Sequence, residues 1–118
     1  MGLFANLFGK KKPESAKLPE QSVIVHFQYG KTDLDDLYAL EDRLEPLIAD
    51  AGVGEFDGHE IALDGSDGFL YMYGPDADKL FDVVKPELEA TSFTRGASVK
   101  LCYHNPGEQG PEKEVTIK

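Results

Sequence analysis

The chain has 118 residues, of which 41% are hydrophobic and 29% charged, and this predicts one globular domain with a modest core. The net charge of −10 argues against DNA or RNA as a partner, because nucleic-acid binding depends on lysine and arginine at the phosphates. A single cysteine, no apolar run long enough to span a bilayer and no secretory leader pattern together predict a cytoplasmic protein.

The charge divides the chain into two parts. Residues 1–20 carry four lysines against two glutamates, a net of +2, which leaves −12 on residues 21–118. Within residues 1–12, a helical stripe of Leu3, Phe4, Leu7 and Phe8 precedes three lysines. This pattern favours a weak membrane-surface contact, with a frayed tail or a segment docked on its own domain as the alternatives. We therefore expect a basic amphipathic tail and linker over residues 1–20 and a single domain over residues 21–118.

Alternation of apolar and polar residues predicts the first strand over residues 22–29. Val23, Val25 and Phe27 lie on one face of this strand, and Ile24 and His26 lie on the other.

A helical period follows from residue 34 to residue 51. Thr32 and Asp35 form a weak capping box at its start, and Gly52 is expected to end it.

The second and third strands are predicted over residues 54–62 and 69–73. Gly58 interrupts the second strand and indicates a bulge. The third strand is apolar on both faces, so either Leu70 with Met72 or the aromatic residues at 69, 71 and 73 can face the core. Asp76 and Asp78 then favour a helix start, and a fourth strand over residues 99–103 precedes a short final strand at 115–117.

The order β-α-β-β-α-β, followed by one more strand, predicts an α+β domain of the ferredoxin-like type. Its antiparallel sheet has the expected order 4-1-3-2, with two helices on one face and the extra C-terminal strand paired to the fourth. The predicted core is built from apolar positions of the strands and helices: Val23, Val25, Phe27, Leu37, Leu44, Leu80, Phe81, Val84, Val99 and Leu101.

The central block carries two local patterns. Gly54, Asp57, Gly58 and Glu60 form a G-x-x-D-G-x-E strand, and residues 73–81 read Y-G-P-D-A-D-K-L-F at a helix entry. The block resembles a group of small uncharacterised bacterial proteins that share both patterns. The resemblance implies the ferredoxin-like fold and a bacterial protein, and it transfers no catalytic residue or cofactor.

Two sets of residues are candidate metal ligands. Asp57, His59 and Glu60 offer oxygen and imidazole donors for a divalent ion, although Glu60 points away from the other two unless Gly58 forms a bulge. The competing interpretation is an ordinary hairpin, in which aspartates make turn hydrogen bonds.

The second set lies opposite the apolar positions of the first and fourth strands. Ile24, His26, Cys102 and His104 are expected to share the sheet face that the helices leave open. Two histidines and a cysteine are zinc ligands, but no fourth ligand is evident, and surface histidines on an open sheet are the alternative. A nucleophilic Cys102 with a histidine base would lack an orienting group.

Gly68, Phe69 and Tyr71 are similar to part of the RNA-recognition-motif signature, but Asp67 stands where that signature has a basic residue. No phosphate-binding loop, dinucleotide fingerprint or hydrolase motif is present, so we expect no cofactor. The predicted function is therefore non-enzymatic protein interaction, as an immunity or regulatory protein that masks a basic partner, or as a homodimer. A small-molecule or divalent-metal-binding domain that uses the exposed sheet face is the alternative.

Overall fold

The computed structural model describes residues 20–118 and gives an α+β domain. The elements follow the chain in this order: β1 (Gln21–Gln28), α1 (Asp35–Ala51), β2 (Glu55–Ile61), β3 (Asp67–Gly74), α2 (Ala77–Ala90), β4 (Ser98–Cys102) and β5 (Glu112–Thr116). A 3₁₀ turn at Ser92–Thr94 precedes β4. The predicted tail contacts of residues 1–12 lie outside the described residues. Among the residues that are described, no helix is long and apolar enough to cross a membrane.

All five strands of the described domain form one antiparallel sheet in the order β2-β3-β1-β4-β5. The first strand lies in the middle, where Val25 pairs with Leu70 on one side and with Val99 on the other. The predicted neighbours of β1 are therefore confirmed, and β5 pairs with β4 as the expected extra strand. The element order and the sheet are compatible with the ferredoxin-like type.

The core lies between the two helices and one face of the sheet. Burial of apolar side chains in this layer provides the main driving force for folding. The helices contribute fully buried residues to it, and so do alternate positions of β1, β3 and β4: Leu37, Leu40, Leu44, Ile48, Ala77, Leu80, Val84, Leu88, Val23, Val25, Phe27, Leu70, Met72 and Val99. Nine of the ten predicted core residues are buried, whereas Phe81 only packs against the core as a partly buried side chain.

The predicted capping box of α1 is wrong. Leu34 occupies the N-cap position and makes no side-chain capping bond. Instead, a carboxylate oxygen of Asp33 accepts a hydrogen bond from the backbone N–H of Asp35 at 2.8 Å. At the other end, Gly52 adopts a left-handed conformation with φ of 67° and closes the helix as expected.

The predicted bulge in β2 is present and sets the direction of its side chains. The pairing with β3 shifts between Phe56 and His59, and Gly58 has φ of 103°. After the bulge, His59 pairs with Leu70, which faces the core, and Glu60 pairs with Phe69. His59 and Glu60 therefore point to opposite faces of the sheet.

Candidate functional site

The sheet face turned away from the helices, here called the open face, combines apolar rings with carboxylates. Residues paired directly across an antiparallel sheet share a face, so the register assigns each side chain. The apolar side chains of the open face are Ile24, Phe69, Tyr71 and Tyr73. Its charged side chains are Glu55, Glu60, Asp67, Lys100, Glu112 and Glu114. The third strand thus turns its aromatic residues outward and places Leu70 and Met72 in the core.

Neighbouring side chains fix the rings of the open face. His26 stacks on Phe69 with ring centroids 4.5 Å apart, and Phe69 and Tyr71 are nearly parallel at 6.1 Å. The Tyr71 hydroxyl donates a hydrogen bond to the Glu60 carboxylate. Burial of the phenol, and then this hydrogen bond, raise the pKa of Tyr71 to about 12. The rings therefore present an ordered row rather than freely rotating side chains.

A shallow depression of about 320 Å³ lies in the middle of the open face. Its lining comes from three neighbouring strands and from the edge strand β5: Ile24, His26, Phe69, Tyr71, Ser98, Lys100 and Glu114. Ser98 donates a hydrogen bond to Glu114 at 2.7 Å, which holds that carboxylate at the rim without neutralising it. The depression thus has an aromatic floor and a polar side that carries one ammonium group, Lys100, and one carboxylate, Glu114.

The charge of the open face is strongly negative. Five carboxylates belong to it, against the single ammonium group of Lys100. The imidazole of His26 lies 2.7 Å from Asp67, and Glu112 lies 3.9 Å from Lys100. Glu114 lies directly opposite Lys100 across β4 and β5, and Glu60 accepts the hydrogen bond from Tyr71. The face therefore attracts cations and repels anions.

The predicted interface residues share the open face but lie in two separate places. Ile24 and His26 line the depression. His26 pairs with Ser98, whereas Cys102 pairs with Ser22, four residues further along the strands and about 13 Å away. His26 therefore lies too far from Cys102 and His104 to share one zinc ion with them.

Cys102 and His104 instead form a group with Glu112 on the neighbouring strand. These three residues are here called the hairpin cluster. Each offers one ligand atom, and the three ligand atoms lie within 4.8 Å of one another. His104 Nε2 is 3.2 Å from Glu112 Oε2, and His104 Nδ1 is 3.1 Å from the carbonyl oxygen of Asn105. The Asn105 carbonyl, followed by Glu112, raises the pKa of His104 above its ordinary value. The cluster can hold a proton or a metal ion.

The first candidate metal set does not converge. His59 Nδ1 lies 2.6 Å from a carboxylate oxygen of Glu41 on α1, on the helix side of the sheet. Glu60 accepts the Tyr71 hydrogen bond on the other side. His59 and Glu60 thus point to opposite sides of the sheet, so the structure does not bring Asp57, His59 and Glu60 together as one set of metal ligands.

Glu112 is missing from the residues that the sequence pointed to. Glu112 comes next to Cys102 through the pairing of β4 with β5. The sequence could point to Glu112 only if that register were known, and the length of the loop does not fix it.

No protein-family model matches the chain, and no curated protein or solved structure shows a significant similarity to it. The function is therefore argued from the open face and the hairpin cluster.

Proposed function

We propose that the protein binds a basic protein partner in the cytoplasm through its open face and performs no catalysis. The observation that carries the proposal is a row of ordered aromatic rings at the floor of a depression, on a sheet face with five carboxylates and one lysine. We assign the domain to the ferredoxin-like type with an extra C-terminal strand, in which this face is the one that no helix covers.

The depression suits an arginine or lysine side chain of the partner. A cation over the face of Phe69 or Tyr71 gains from the ring quadrupole, and the alkyl part of the side chain would cover Ile24. The Glu114 carboxylate at the rim accepts a hydrogen bond from the neutral Ser98 and lies opposite Lys100, so the incoming cation would compete with Lys100 for it. A volume of about 320 Å³ leaves room for one such side chain.

The same charges disfavour two other occupants. A second copy of the chain would bring carboxylates against carboxylates, because a two-fold dimer buries the same patch on both subunits. Single-stranded RNA could stack on the rings, but its phosphates would meet five carboxylates and one lysine. A basic protein surface is complementary both to the rings and to the charge.

The two edge strands of the sheet are poorly suited to pairing with a strand of a partner protein, and this favours binding of the partner to the open face. The edge strand β5 carries Glu112, Lys113 and Glu114 in succession, and such charges oppose pairing with another chain. The other edge, β2, is interrupted by the bulge at Gly58. A partner therefore finds its best contact on the open face, as expected of an immunity or regulatory protein that masks a basic surface.

The experiment is an NMR titration of the full chain with a synthetic arginine-rich amphipathic peptide as the probe. We expect the amide shifts to concentrate on β1, β3 and β4. Phe69→Ala changes no charge and should weaken binding at least tenfold, because stacked cations depend on the ring. Tyr38→Ala is the matched control, since Tyr38 is an aromatic residue of α1 with 49% of its surface exposed.

Binding that is insensitive to Phe69→Ala, or shifts centred on the helices, would mean that the acidic surface attracts the peptide without a specific site. A parallel titration with single-stranded RNA tests the other class of partner. Saturable RNA binding that Phe69→Ala abolishes would replace the basic protein as the ligand.

A further inference from the structure

The hairpin cluster adjoins the depression, since Glu112 lies 3.9 Å from Lys100 of its lining, but zinc binding there does not require the function proposed above. We propose that Cys102, His104 and Glu112 bind Zn²⁺, with the fourth position left to water or to a group from a partner. Cys102 is the last residue of β4, His104 lies two residues beyond it, and Glu112 is the first residue of β5.

The spacing of the ligand atoms fits a zinc ion after small side-chain rotations. Zinc bonds of about 2.0–2.3 Å at tetrahedral angles place ligand atoms about 3.5 Å apart. His104 Nε2 and Glu112 Oε2 are already 3.2 Å apart, and all three ligand atoms lie within 4.8 Å of one another. Cys102 pairs directly with Glu112 across the hairpin, so backbone hydrogen bonds hold the two ligands side by side.

The imidazole of His104 is oriented in the way that metal-bound histidines are. Its Nδ1 lies 3.1 Å from the carbonyl oxygen of Asn105, and a proton on Nδ1 can be donated to that oxygen. This bond selects the tautomer whose Nε2 lone pair points towards Glu112. Both ring nitrogens thus face an oxygen acceptor, so the position between Nε2 and the carboxylate can be filled by a proton or by a metal cation.

The loop of the hairpin holds this orientation. A Cβ atom at Gly110 would lie only 2.5 Å from the Cβ of His104, so the backbone of the loop closes directly over the histidine. The backbone N–H of Tyr103 donates to the carbonyl of Pro111 at 3.0 Å and joins the two sides of the loop. Pre-ordered ligands lose little conformational freedom when an ion binds.

The donor set selects the type of metal. A thiolate, an imidazole and a carboxylate suit Zn²⁺, whereas Mg²⁺ and Ca²⁺ prefer oxygen alone. On binding, the Sγ–H bond of Cys102 is replaced by an Sγ–Zn bond and the proton passes to solvent. Cys102 is only 5% exposed, which shields it from bulky substrates but leaves room for an ion entering beside the partly exposed His104 and the exposed Glu112.

The test is a calorimetric titration of the tag-free full chain with Zn²⁺, in two buffers with different ionisation heats. We expect one ion per chain, proton release, and a thiolate-to-metal absorption band when Co²⁺ is used instead. Cys102→Ser, His104→Gln and Glu112→Gln should each weaken binding at least as much as loss of an outer-shell contact, about 10–100-fold. His26→Gln and Glu114→Gln are the matched controls on the same face and should bind as the unchanged chain does.

The absence of saturable binding at equimolar zinc, or equal binding by the three ligand variants, would overturn the proposal. Melting curves without metal show that each variant is folded. They also give a second measurement, because zinc should raise the melting temperature of the unchanged chain and of the two controls only.

Discussion

The imidazole of His26 lies on the ring of Phe69 with an interplanar angle of 15° and centroids 4.5 Å apart. The two residues are directly opposite in the pairing of β1 with β3, so the stack joins the central strand to its neighbour. Cross-strand pairs of this kind add to the stability of a sheet beyond the area they bury.

We expect this stack to be measurable as a coupling energy. In a double-mutant cycle of His26→Ala and Phe69→Ala, urea unfolding should give a coupling of about 0.5–1.5 kcal/mol. The control cycle combines His26→Ala with Tyr73→Ala, whose position pairs with Ser22 rather than with His26. Equal coupling in the two cycles would contradict a specific stack.

The second helix should depend on Leu80, which is completely buried. Leu80→Ala is expected to lower the free energy of unfolding by about 2–5 kcal/mol, through lost burial and the cavity that remains. Asp82→Ala, at an exposed position of the same helix, should change it by no more than about 0.5 kcal/mol. A loss from Leu80→Ala as small as that of the control would show that α2 is not packed as described.

Two tyrosines should make stability fall at high pH. Burial and the Glu60 hydrogen bond raise the pKa of Tyr71 to about 12, and the hydrogen bond to Asp78 is the first cause of a pKa of about 12 for Tyr103. An unfolded tyrosine has a pKa near 10, so the folded state favours the neutral phenol. The resulting stability is complete below about pH 10 and is lost as the pH rises through about 12.

The measurement is urea unfolding at a series of pH values, with Tyr71→Phe and Tyr103→Phe as variants. Each variant should lose less stability than the unchanged chain as the pH is raised above about 10, because phenylalanine has no proton to lose. The same slope in all three proteins would refute the prediction.

Residues 1–19 should be dispensable for folding. The predicted boundary follows from the change of composition near residue 20, and the described domain contains a complete core. A chain that begins at Glu20 should melt within a few degrees of the full chain. A large drop would indicate that Leu3, Phe4, Leu7 and Phe8 pack on the domain, and binding of only the full chain to anionic vesicles would support the membrane contact.

Strand alternation made the faces of β1 predictable, because Val23, Val25 and Phe27 are apolar and their neighbours are mixed. The same rule does not decide β3, where both faces are apolar. Leu70 and Met72 are buried only because β3 pairs in register with β1, and this pairing is a long-range contact that no local pattern reveals. Because Leu70 and Met72 face the core, the alternate residues Phe69, Tyr71 and Tyr73 form the aromatic row of the open face.

The metal-ligating candidates show the same limit. The bulge at Gly58 could be predicted, but the assignment of His59 to the helix side depends on where the shift falls, and Glu41 adds a partner from another element. Glu112 joins Cys102 through the register of a hairpin whose loop residues do not specify it. The spacing of residues in the sequence therefore identified side chains that can bind a metal, but it did not identify the residues from other elements that lie beside them.

The central position of β1 has a consequence for the order in which the chain can fold. Val25 is among the first described residues to be synthesised, yet its two partners are Leu70 and Val99. The sheet cannot close until β4 has been made, so most of the chain must leave the ribosome before its first strand is protected on both sides. We therefore expect slow, all-or-none closure late in synthesis, with β1 a natural binding segment for chaperones until then.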